Sequence, residues 1–229
     1  MGDIFLMNKL DVLYEDNHVI VVVKPCNILS QADITGDSDM LTLIKGYLKE
    51  KYQKPGNVYL GLVHRLDRPV GGIMVFAKTS KAAARLSKQV QKHELEKQYY
   101  AIICGKMKNK KGEFCDCLKK QANGNTVVVD PNDPDGKEAK LTYQVVEEKD
   151  HYSLIRIQLL TGRHHQIRVQ FASRGYPLLG DYRYGGDIAP QLALFSYHLA
   201  FYHPISKQKL VFEQNPRGEI WQLFFSKSN

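Results

Sequence analysis

The segment Val63-His64-Arg65-Leu66-Asp67-Arg68-Pro69 sets one carboxylate between two arginines, in a loop between two apolar stretches. Flanking positive charge favours the ionised carboxylate, the form that a nucleophile or a charge stabiliser needs. Composition alone equally allows a structural Asp–Arg pair. A second segment, Thr161-Gly162-Arg163-His164-His165-Gln166-Ile167-Arg168, reads as a strand end leading into a helix. A helix start favours anions, and Arg163 with two histidines reinforces that. Arg163 and Arg168 are five apart and point in different directions, so one suits substrate and the other a partner inside the protein. The adjacent histidines do not read as a metal site, because neighbouring side chains diverge on a helix and no His or Cys follows at i+4. A third segment, Lys97-Gln98-Tyr99-Tyr100-Ala101, opens a strand. Its tyrosines face opposite sides: one suits the core, the other can stack on a base.

Charge points to a polyanionic partner. The 229 residues carry 32 Lys and Arg against 24 Asp and Glu, a net charge of +8. Between Lys78 and Lys111 there are ten basic residues and only Glu94 and Glu96 as acids. Lys81, Arg85, Lys88 and Lys92 are spaced to share one helical face. Like charges along one face repel, and a phosphate backbone would neutralise them. The alternative is an ordinary solvated face, or a surface for acidic membranes or proteins. No phosphate-binding glycine loop of the ATP or NAD type is present, so no nucleotide cofactor is expected. Cys26, Cys104, Cys115 and Cys117 form no C-x-x-C pair, so we expect free thiols, no metal and a cytoplasmic location. No apolar run reaches the ~18 residues of a membrane span, and Met1–Leu10 does not read as an export signal.

The elements that must position these segments follow from periodicity. Strands are expected near 10–16, 18–25, 58–63, 72–78, 97–104, 139–147, 152–160, 192–202 and 208–213. Helices are expected over 39–53, with Asp39 as cap and Leu41, Ile44, Leu48 and Tyr52 as its apolar positions, over 79–95 behind Thr79 or Ser80, and over 163–174. A short terminal helix is expected over 219–225. Residues 105–137, with several glycines and a Pro-Asn-Asp-Pro-Asp-Gly cluster, read as a loop or hairpin excursion. The expected class is α+β, with a largely antiparallel mixed sheet flanked by helices. Residues 1–9 read as an N-terminal extension and 10–229 as one catalytic domain.

Taken together, the segments resemble the RluA family of RNA pseudouridine synthases. Val22-Val23-Lys24-Pro25 is similar to its first strand, His64-Arg65-Leu66-Asp67-Arg68 to its H-R-L-D-R element, Lys97-x-Tyr99 to its K-x-Y element and Thr161-Gly162-Arg163-x-His165-Gln166-Ile167-Arg168 to its T-G-R-x-H-Q-I-R element. Gly175-Tyr-Pro-Leu-Leu-Gly180-Asp181 continues the likeness. The resemblance implies the pseudouridine synthase fold and isomerisation of uridine in ribosomal or transfer RNA, by base flipping and without cofactor or metal. It implies that Asp67 attacks the target uridine, that Tyr99 stacks on the flipped base and assists proton removal from C5, and that Arg168 pairs with Asp67. Arg65 would fill the gap left by the flipped nucleotide, with further RNA contacts at His64, Arg68, Arg163 and His165. The default state is a monomer. A non-catalytic RNA-binding or chaperone protein on the same fold is the second reading. Pro69-Val70 and Gln170 depart from the family pattern, which often has His at the latter position. An N-terminal S4 RNA-binding domain is not expected, because the first family strand begins near residue 10.

Overall fold

The computed structural model describes residues 10–225; the extension assigned to 1–9 lies outside them. The chain forms two compact units, one of residues up to Glu96 with His198–Gln214, the other of Lys97–Tyr197 with the residues from Asn215 on.

In the first unit, β1 (Asp11–Glu15) turns back into β2 (Val19–Lys24). Asp16 makes that turn: its Oδ1 accepts the N–H groups of His18 at 2.7 Å and Val19 at 2.8 Å, a side chain standing in for a backbone turn. β2 runs antiparallel to β4 (Gly71–Ala77), from Val19 opposite Ala77 to Lys24 opposite Gly72. All seven residues of β4 are buried, so its apolar run is covered on both faces. The short β3 (Gly61–Leu62) pairs with the far end of β4. Helix α1 (Met40–Lys51) is capped by Asp39, and α2 (Ser80–Gln91) by Thr79, each side-chain oxygen taking an otherwise orphaned N–H. The buried positions of α1 are Met40, Leu43, Ile44 and Leu48, so Leu41 and Tyr52 are not in its stripe. Tyr52 lies beyond the last turn and donates to Glu15 at 2.8 Å. Ala82 and Leu86 of α2 pack on Val19, Val21, Ile73 and Val75.

In the second unit, β5 (Glu96–Cys104), β9 (Tyr152–Leu159), β8 (Lys137–Lys149), β6 (Lys111–Lys120) and β7 (Thr126–Val129) lie side by side in that order, each antiparallel to the next. Residues 105–137 therefore carry a hairpin, β6–β7, and β6 is laddered to β8 from Lys111 opposite Gln144 to Leu118 opposite Lys137. Helix α3 (Gln166–Ala172) packs Phe171 on Phe114 and Tyr143, and Val169 against Leu118 and Ala139. It starts three residues later than the periodicity predicts, because His165 takes a left-handed φ of 51°, which a helix interior does not allow. The tail forms a 3-10 helix over Glu219–Leu223, anchored by Trp221 against Phe195 and Phe225. Strand β10 (Leu194–Tyr202) carries the chain from the second unit back into the first, where it pairs with β11 (Lys209–Glu213). Among the described residues no helix is long and apolar enough to cross a membrane.

Candidate active site

Asp67 sits half-buried on a loop that leads into β4. Its backbone is held from segment 24–30. Ser30, itself buried, donates to the Leu66 carbonyl at 2.7 Å and accepts the Leu66 N–H at 3.1 Å. Lys24 is fully buried, and its ammonium donates to the carbonyls of Pro25 at 3.0 Å, Ile28 at 2.6 Å and Arg68 at 3.0 Å. Three carbonyls match its three N–H groups. Burial pulls Lys24 down to about 8, with Cys26 and Asp67 opposing that fall and Arg68 adding to it. Val70 N–H closes the turn on the Asp67 carbonyl at 3.0 Å. His64 is buried, and its Nε2 accepts the Val75 N–H at 3.1 Å, tying the loop to β4. Arg65 is exposed. Arg68 is committed locally, to Asp37 at 2.7 Å and the Asn27 carbonyl at 3.3 Å.

In the second unit, Tyr99 of β5 is 5% exposed and lies opposite Ile157. Tyr100 points to the other face, where it stacks on Tyr197 with centroids 4.0 Å apart. The Thr161–Arg163 turn is knotted to β8 by Gln166. Its Oε1 accepts the Thr161 hydroxyl at 2.8 Å and the Arg163 N–H at 3.0 Å, while its Nε2 donates to the Lys140 carbonyl at 3.0 Å. Arg163 is exposed and its Nε donates to the Glu138 carbonyl at 2.8 Å. Arg168, on α3, is buried and grips Asp181 through Nε and Nη2, both at 2.7 Å. This bidentate fork fixes the guanidinium plane. The Tyr184 ring stacks near it, 5.1 Å from its carbon. Asp181 is placed by a turn that needs glycine: at Gly180, with φ of 78°, an added Cβ would lie 2.0 Å from the Gln191 carbonyl oxygen.

His165 is half-buried. Its Nδ1 meets the Tyr184 hydroxyl at 2.8 Å, and that oxygen also accepts the Thr126 N–H at 2.9 Å. Burial, with Arg168 and His164 adding to it, pushes His165 down to about 3, so its ring is neutral at physiological pH. Gln170, fully buried, donates to Asp116 at 2.7 Å and to the Ala139 carbonyl at 3.1 Å, and Arg174 grips the same Asp116 through both terminal nitrogens at 2.9 Å. On α2, Lys81, Lys88 and Lys92 are exposed, whereas Arg85 donates to the Pro204 carbonyl at 2.8 Å. The four cysteines are free thiols. Sequence reasoning gave no role to Lys24, Ser30, Gln166, Asp181 or Tyr184. The signals were a lysine ending an all-apolar strand and a carboxylate directly after a turn glycine.

The first unit thus carries a rigidly mounted carboxylate, and the second a locked guanidinium and a tyrosine held by a sheet. The match to RNA pseudouridylate synthase covers residues 18–173. An uncharacterised RNA pseudouridine synthase of Bacillus subtilis is 35% identical over 90% of this chain and 68% of its own length. The ribosomal large subunit pseudouridine synthase D of Vibrio vulnificus is 33% identical over 93% of this chain and 69% of its own. Among solved structures, human RNA pseudouridylate synthase domain containing 4 has the same fold, with a TM-score of 0.78 at 21% identity over 94% of this chain and 93% of that one. The chain belongs to the RNA pseudouridine synthase family, in agreement with the RluA-type motifs. The reaction of that family is the isomerisation of uridine in RNA.

Proposed function

We propose that this protein converts uridine to pseudouridine in structured RNA through Asp67, Tyr99 and Arg168. The relatives named for the ribosomal large subunit favour ribosomal over transfer RNA as substrate. The observation that carries the reading is the mounting of Asp67: its loop is pinned at Leu66 by Ser30, at Arg68 by Lys24 and at His64 by the Val75 N–H of β4. A nucleophile held this way meets the narrow geometric tolerance that covalent catalysis demands. The target base is flipped out of its stack. Asp67 attacks, the N1–C1′ bond breaks, the uracil turns and rejoins C1′ through C5 as Asp67 is released, the C5 proton leaves and N1 takes up a proton. Tyr99 offers the flipped base an aromatic face and assists the C5 proton's departure, and Arg168 pairs with Asp67. Arg65, exposed next to the pinned Leu66, fills the gap in the helix. The isomerisation is redox-neutral and consumes no co-substrate. Free thiols suit a reducing compartment, and we place the enzyme in the cytoplasm, as a monomer.

The test is tritium release from RNA labelled at C5 of uridine, prepared from cells lacking this gene. Native protein releases tritium and Asp67→Asn does not. Salt-dependent RNA binding with no release by either protein would favour the non-catalytic RNA-binding reading.

A further inference from the structure

The second unit contains a cleft of about 600 Å³. Its walls are the end of β6 from Leu118 to Lys120, Thr126 at the start of β7, the turn Pro134–Lys137 that enters β8, and Gly162–His164. The sequence draws attention to the 78–111 stretch instead. There the exposed cations of α2 stand on a convex helix face.

The cleft gathers charge differently. Its lining has four cations, Lys119, Lys120, Lys137 and Arg163, against one carboxylate, Asp135. Lys119 holds that carboxylate at 3.0 Å and Asp133 at 3.1 Å, so its one ammonium is shared between the two acids of the turn. Lys120 and Lys137 are exposed and enter none of the ion pairs formed among the described residues. Two wall positions are glycines. A Cβ at Gly136 would lie 2.5 Å from Cys117 Sγ, and one at Gly162 would lie 3.3 Å from Lys97 Nζ. His164 Nδ1 meets Thr126 Oγ1 at 2.9 Å, which joins the 161–168 segment to the hairpin at the cleft's edge. The volume falls in the ~300–1,000 Å³ range of sites that enclose an organic ligand, so the cleft takes a stretch of sugar-phosphate backbone rather than a lone ion.

We propose that this cleft seats the RNA backbone adjoining the target uridine, with Lys120, Lys137 and Arg163 as its counter-charges. The proposal rests on the RNA isomerase reading above and names the surface that holds the substrate. The hairpin then serves as an RNA clamp built into the catalytic fold.

The experiment is fluorescence anisotropy with a labelled RNA stem-loop bearing loop uridines, titrated over a range of salt. Native protein is compared with Lys120→Gln/Lys137→Gln, with Lys120→Arg/Lys137→Arg and, as a control, with Lys45→Gln/Lys49→Gln on the exposed side of α1. We expect the cleft glutamine variant to bind roughly tenfold more weakly, with the slope of log affinity against log salt shallower by about 1.5, since each lost phosphate contact removes ~0.7–0.9. The arginine variant restores both, and the α1 variant stays within about twofold of native. Native affinity in the cleft glutamine variant, or a loss with unchanged salt slope, would overturn the proposal. So would an equal loss in the α1 variant. Binding of uridine monophosphate that the cleft substitution abolishes while RNA affinity stays native would mark a small-anion site instead. Tritium release, run alongside, separates the two readings. Release by native protein with no effect of the cleft variant defeats the cleft alone, and cleft-dependent RNA binding without any release defeats the isomerase reading alone.

Discussion

Loop 64–70 is held by residues far from it in sequence: Lys24 reaches Arg68 across 44 positions and Ser30 reaches Leu66 across 36. Segment 161–168 is held largely from within and from the neighbouring strand, by Gln166 on Thr161 and Arg163 and by the Lys140 carbonyl. Its arginine is then locked by one buried ion pair with Asp181. The first arrangement spreads its restraint over several bonds to backbone groups, which degrade one at a time. The second concentrates restraint in two opposed charges, so one substitution removes both bonds of the fork from a buried site. The difference teaches where each loop fails.

The largest effect should come from breaking that concentrated restraint. Asp181→Ala leaves Arg168 buried without this carboxylate, and a broken buried pair costs about 3–5 kcal/mol. Urea unfolding should show that loss, with activity falling even at low temperature where the protein remains folded. A loss under 1 kcal/mol would mean that the pair contributes little to the lock. Lys24→Met comes next. It relieves the desolvation of a buried ammonium but takes the donor from three carbonyls, each worth about 1–3 kcal/mol where water cannot replace it. The lost bonds win, and we expect a net cost of about 2 kcal/mol at neutral pH, read from the denaturation midpoint.

The pH response of the second loop is smaller near neutrality and has a defined sign. His165 titrates near 3 in the folded chain and near its ordinary 6.5 when unfolded. Between those values the unfolded chain binds a proton that the folded chain refuses, so stability falls as pH drops from 6.5 toward 3. His165→Gln should flatten the difference in stability between about pH 7 and 5; an unchanged slope would assign it to other groups. The smallest effect belongs to the first loop's surface. Arg68 and Asp37 are 45% and 48% exposed, and such pairs contribute about 0–1 kcal/mol. Asp37→Ala should leave the unfolding midpoint nearly unmoved.

Much of this was legible in the sequence because it is local. Most strands and the helices other than the start of α3 follow from periodicity, and the caps Asp39 and Thr79 from residue type, whereas β6 and β7 lie in a segment that showed only turn signals. Asp67 stood out by its flanking arginines, while Tyr99 and Arg168 were singled out only by the resemblance to the RluA motifs. The restraints were not legible, because they join residues that only folding brings together. Nothing local says that Lys24 is buried rather than solvated, or that Asp181 meets Arg168. Gln170 shows the same limit. Its departure from the family's usual His was visible, but its bonds to Asp116 and the Ala139 carbonyl depend on β6 and β8 lying under α3. The cleft was missed because Lys120, Lys137 and Arg163 are scattered in sequence and converge only through the β6–β7 hairpin and the turn into β8.

The most direct test of the central claim is carbodiimide mapping of pseudouridine in ribosomal RNA. The RNA would come from cells lacking this gene, complemented with either the native chain or Asp67→Asn. The account predicts at least one position restored by the native chain and left as uridine by the variant at equal protein level. Restoration by both would remove Asp67 from the chemistry and contradict the account.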